Sequence, residues 1–148
     1  MKTFTESIIE RSELKIFNDI KRVLDSINTF ELPADHLVSC HELCSAMGRV
    51  WSLRMETGYY LPGFEHSWLM TGSADKPPPY DSLIDVYPVG MIGGPILISN
   101  ELVIYMRRCE MYKIKKLPNV DFKSDSFLQV VNVIENELRA RLFALGPR

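Results

Sequence analysis

The 148-residue chain contains no uninterrupted apolar run approaching the ~20 residues that a membrane-spanning helix needs, so no membrane association is expected. Its opening residues, Met1-Lys2-Thr3-Phe4-Thr5-Glu6, lack the apolar core of a signal peptide. No basic stripe with interleaved aromatics appears, and with a net charge of −2 nothing points to nucleic acid. Cysteine is scarce: three residues, an odd number without an export signal, indicate reduced thiols rather than a disulfide framework. A cytoplasmic protein is the expectation. The glycine-rich Gly90-Met91-Ile92-Gly93-Gly94 lacks the strand–GxxxxGK–helix context of a phosphate loop, which excludes a nucleotide site there. Repeats and low-complexity tracts are also absent.

What is present suits one domain spanning residues 1–148, with 46% apolar and 24% charged residues, as in ordinary globular proteins. Thr5 to Asn28 reads as an amphipathic helix, with Ile16, Ile20, Val23, Leu24 and Ile27 at helical spacing and Ser7-Ile8-Ile9-Glu10 as a possible capping box. Pro33 separates it from a second helix, expected from about Cys40 to Met55 and closed by Gly58. Tyr59 to Leu61, His66 to Thr71 and Ser82 to Tyr87 read as strands, with the polar, proline-bearing Ser73–Asp81 loop between the last two. Pro95 to Ser99 and Leu102 to Arg107 suggest a further strand pair around Asn100, and Met111 to Leu117 a lysine-bearing edge strand. Ser124 to Leu145 is again helical. Helix, helix, antiparallel strands, helix argues for an α+β fold: a central helix starting at the cysteine, packed on a small antiparallel sheet, and a C-terminal helix.

The residues with chemical potential cluster in the middle of this order. Ser39-Cys40-His41-Glu42 is a capping-box signature, so Cys40 falls in the first turn of its helix. There the unpaired amides and the positive end of the dipole favour a thiolate. Cys44 lies one turn further along, beyond the reach of that effect, and suits a small buried hydrophobe. His41 points about 100° around the helix from Cys40 and is expected at the surface. His66 opens a strand whose His66, Trp68 and Met70 share one face. Asp85 interrupts an otherwise apolar strand, where a carboxylate must be paired to stay charged, and an imidazole on the neighbouring strand is its natural partner. A zinc site assembled from Cys40, Cys44, His41 and His66 lacks a second ligand pair at sensible spacing, and no metal or other cofactor is expected.

A cysteine at the start of a central helix, then His66-Ser67-Trp68 on one strand and Asp85-Val86-Tyr87-Pro88 on the next, resembles the papain-like superfamily of Cys-His-Asp enzymes, especially its transglutaminase-like branch. The resemblance covers Ser39 to Pro88. It implies a papain-like fold with Cys40 as nucleophile, His66 as base and Asp85 as its orienter, acting on a protein or peptide substrate through a thioester. Peptidase, deamidase, transglutaminase and acyltransferase activities share that apparatus. The chain departs from the family pattern in flanking the cysteine with Ser39 and His41, where Gly and Trp are frequent. The rival reading is a non-catalytic adaptor or inhibitor domain, a degenerate relative that binds a protein partner.

Overall fold

Four helices and a five-stranded antiparallel sheet make up the computed structural model over its described residues, 11–26, 38–61, 63–72, 76–86 and 94–146. The first amphipathic stretch forms α1 (Arg11–Asp25), which buries Ile20 and Val23 as its periodicity requires. The expected cap at Ser7, the Pro33 break, Pro88 and most of the glycine-rich segment lie outside the described residues. Helix α2 (Cys40–Trp51) starts where the capping box places it. Ser39 Oγ accepts from the Glu42 amide at 3.2 Å, and the Glu42 carboxylate accepts from the Ser39 amide at 3.0 Å.

The end of α2 differs from expectation. It does not reach Met55 or use Gly58 as a stop: Ser52 turns into the left-handed region at φ 53°, and the Leu53 amide closes on the Gly48 carbonyl at 2.9 Å. Arg54–Tyr59 is instead β1, paired with β2 (Glu65–Met70) from Arg54 opposite Met70 to Tyr59 opposite Glu65. Short apolar stretches suit helix or strand alike, and here the cross-strand partner decides. Gly58 serves this sheet rather than a helix cap. It is buried between β2 and β5 (Lys113–Ile114), and a Cβ there would overlap the Lys113 carbonyl oxygen.

Strands β3 (Leu83–Asp85) and β4 (Ile96–Ile98) complete a sheet of order β4-β3-β2-β1-β5. The segment read as a strand from Leu102 to Arg107 is helical, part of α3 (Asn100–Arg108). Glu101 in its first turn and Arg107 and Arg108 in its last complement the helix dipole, and the buried residues, Asn100 and Val103, are one turn apart. The apolar run Leu102-Val103-Ile104 misleads because only Val103 faces inward, whereas Leu102 and Tyr105 stay 49% and 62% exposed. Helix α4 (Asp125–Leu145) follows Ser124, whose hydroxyl accepts from the Phe127 amide.

The sheet divides the interior into two cores. Register puts Met55, Leu69, Ile84 and Leu97 on one face, where α1, α2 and α4 contribute Ile20, Val23, Leu43, Met47, Ile134 and Leu138. The opposite face carries Trp68, Met70, Leu83 and Ile98, closed by Val103 of α3 and by Tyr112. No helix among the described residues is long and apolar enough to cross a membrane.

Candidate active site

Cys40, His66 and Asp85 come together at one end of the sheet. The ladder between β2 and β3 runs from Met70–Leu83 to Leu69–Ile84. Beyond it Asp85 pairs with Ile96 of β4, and His66 pairs with Gly58 of β1. His66 and Asp85 therefore share one face across the gap where β2 and β3 part. Both Asp85 carboxylate oxygens lie on His66 Nε2, at 3.0 and 2.9 Å, and both residues are fully enclosed. The bare carboxylate in an apolar strand thus has the imidazole partner its burial demands.

Helix α2 approaches from the other face with its N-terminus at this gap. Its Cys44 thiol donates to the Ser67 carbonyl at 3.4 Å, which fixes the start of the second turn against β2. Cys40, half-buried, then lies close enough to His66 for each group to act on the other. With Nε2 on Asp85, Nδ1 is the ring nitrogen that the carboxylate does not engage. The capping box occupies the Ser39 and Glu42 amides, so the Cys40 and His41 amides are the first-turn donors it leaves for other acceptors.

The two helix cysteines are driven in opposite directions. Burial disfavours the Cys40 thiolate, but hydrogen bonds from His41 and His66, with their positive charge, outweigh it and hold Cys40 at about 6. At Cys44, full burial and the neighbouring Cys40 and Asp85 charges push ionisation well up. His66 is opposed by burial yet raised to about 9 by the Asp85 hydrogen bond, by Cys40 and by the Asp85 charge. Between those two values the pair is a thiolate beside an imidazolium. Cys109, exposed at the C-terminal end of α3, has no comparable surroundings.

His41 does not lie free at the surface as its helical angle suggests. Its Nδ1 is 2.7 Å from Ser67 Oγ and 3.8 Å from Cys40 Sγ, and its ring meets Phe122 edge-on at 5.8 Å. The thiol is consequently flanked by two imidazoles. Trp68 is fully buried and sits 6.2 Å from the His66 ring, so it belongs to the core and also walls that imidazole. Its indole N–H donates to Glu56, which also receives Arg107, each at 3.0 Å.

Two participants escaped the sequence. Glu56 follows only from the register that sets it opposite Trp68. Tyr112 donates its hydroxyl to Asp85 at 2.6 Å from a fully buried ring, and no local pattern distinguishes it from its neighbours in an edge-strand stretch. Among the described residues, no group of three or more His, Cys, Asp or Glu side chains could hold a metal ion. The Ser73–Asp81 loop is described only from residue 76 onward.

No family model matches the chain, and no curated protein or solved structure matches it either. The function is therefore read from the site itself.

Proposed function

We propose that this protein is a thiol-dependent acyl-transfer enzyme, with Cys40 as nucleophile, His66 as base and acid, and Asp85 as the residue that orients His66. The observation that carries the reading is a buried Asp85 whose two oxygens straddle His66 Nε2, beside a Cys40 thiol at the start of α2 on which both His41 and His66 act. An α+β fold with the cysteine at the start of a central helix over an antiparallel sheet fits a papain-like, transglutaminase-like enzyme. A purely structural cysteine would resemble Cys44: enclosed and held neutral.

The chemistry follows from the charges. The Cys40 thiolate attacks the carbonyl carbon of an amide or ester, and the carbonyl π electrons move onto oxygen. The first-turn amides of Cys40 and His41, at the positive end of α2, are suited to that oxyanion. Collapse re-forms the carbonyl and expels the amine or alkoxide, which takes the proton from the His66 imidazolium. Water or an amine then gives its proton to neutral His66 as it attacks the thioester, and Cys40 leaves as the thiolate. A protein or peptide acyl donor suits this apparatus.

Iodoacetamide and p-nitrophenyl acetate test the reading. At neutral pH, Cys40 should alkylate much faster than Cys109, and the ester should leave an acetyl group on Cys40 that is found by mass spectrometry. Cys40→Ala and His66→Ala should abolish turnover. Equally slow labelling of Cys40 and Cys109 would sink the proposal and favour the non-catalytic binding domain.

A further inference from the structure

We propose that Tyr112 is a positioning residue for the Cys40–His66 pair, its hydroxyl locking the Asp85 carboxylate in the orientation that holds His66. The inference rests on the acyl-transfer reading above and extends it by a fourth residue.

Three observations carry it. The first is the contact itself: Tyr112 Oη donates to Asp85 Oδ2 at 2.6 Å, a distance typical of a charge-assisted O–H···O bond. Both Asp85 oxygens lie nearly equidistant from His66 Nε2, so rotation of the carboxylate is the motion by which the imidazole would lose its partner. A second donor on Oδ2 opposes that rotation.

The second is the backbone. Tyr112 has φ 53°, a left-handed conformation that a bulky residue rarely adopts and keeps only where its surroundings impose it. Arg107 Nε imposes it by donating to the Tyr112 carbonyl at 3.0 Å, while Arg107 is itself anchored on Glu56. The third is the ring. It packs edge-on to Tyr60 at 5.1 Å and Trp68 at 5.3 Å, which leaves the hydroxyl aimed along one line, at Asp85. Burial and the Asp85 charge push Tyr112 ionisation far up, so the hydroxyl keeps its proton and remains a donor wherever the enzyme works.

The titratable groups facing His66 are Asp85 from β3, Cys40 from α2, Tyr60 after β1 and Tyr112 before β5. Those facing Cys40 are His41, His66 and, one turn below, Cys44. Tyr112→Phe removes only the hydroxyl and keeps the ring contacts. Two readouts separate positioning from packing: the pH profile of Cys40 alkylation by iodoacetamide, and the His66 imidazole titration followed by NMR. With the hydroxyl gone, the alkylation midpoint should rise and the His66 titration fall toward the ordinary histidine value. The rate on the acid side of neutrality should drop about five-fold, the equivalent of one ordinary hydrogen bond. In the unsubstituted protein, the Tyr112 hydroxyl proton should shift as His66 titrates.

Fast Cys40 alkylation in the unsubstituted protein, with both midpoints unchanged in Tyr112→Phe, would reduce Tyr112 to packing and leave the acyl-transfer reading standing. Slow alkylation of Cys40 in the unsubstituted protein would overturn the parent reading and this role with it.

Discussion

The two faces of the sheet are built to different rules. One is closed by α1, α2 and α4 with aliphatic side chains, among them Ile20, Leu43, Met47, Leu69, Ile84, Ile134 and Leu138. The other sets aromatic rings among polar groups that are each paired: His66 with Asp85, Tyr112 with Asp85, and Trp68 with Glu56. An aliphatic core gains from area removed from water and tolerates small adjustments of shape. A buried polar network gains little net stability per bond, and each member left alone costs more than its bond contributed. The first face makes the fold, and the second spends rigidity on orientation. Cys40 stands where they meet, at the start of a helix seated on the aliphatic face and near enough to His66 of the polar one for the two to act on each other.

That division is open to breakage. The largest expected effect lies at the junction: Cys40→Ala should reduce acyl transfer by roughly 10⁴-fold or more, measured as ester turnover, while still unfolding in urea as a cooperative folded domain. On the aliphatic face the effects should invert. Leu138→Ala or Ile134→Ala should cost about 3 kcal/mol in urea denaturation, while the native-state alkylation rate of Cys40 stays within about two-fold. A comparable fall in both quantities would show that the faces are not separable.

Stability against pH sharpens the comparison further. The folded His66 value, about 9, stands above its ordinary 6.5, so its stabilisation is full below 6.5 and is lost as pH rises through 9. Cys40, at about 6 against an ordinary 9.0, contributes in the opposite sense: fully above 9.0, and progressively less as pH falls through 6. In the parent the two slopes oppose one another between those values. In Cys40→Ala only the histidine slope remains, so unfolding free energy should decline across that window by roughly 1–2 kcal/mol more than in the parent. The smallest effect belongs to neither face. Arg139→Ala removes an exposed pair with Glu135, four residues earlier on α4, and should change stability by less than about 0.5 kcal/mol.

Much of the site was legible because its signals are local. Ser39 and Glu42 need only a three-residue spacing to announce a helix start, and the box they form puts Cys40 in the first turn. Asp85 betrayed itself by interrupting an apolar strand, and His66 by sharing a face with Trp68 two residues on. The misreadings also have local causes. Leu102 to Arg107 has strand-like composition, yet its buried residues are one helical turn apart. Residues 53–55 fit a continuing helical stripe until β2 offers them backbone partners. The angle of His41 on the helix alone points it to the surface, but Ser67, on a strand packed against that helix, supplies its hydrogen bond.

By itself the sequence determined the elements whose information lies within a few residues: the capped start of α2, the amphipathic α1 and α4, and the pairing that a buried Asp85 requires. Only the tertiary structure decided which imidazoles flank the thiol, that His66 and Asp85 meet beyond the end of the β2–β3 ladder, and that Tyr112 reaches Asp85 from a segment 27 residues away. The reason is physical. Caps and amphipathic periodicity are properties of neighbours in the chain, whereas register, a left-handed aromatic residue and a shared carboxylate depend on contacts between segments that only folding brings together.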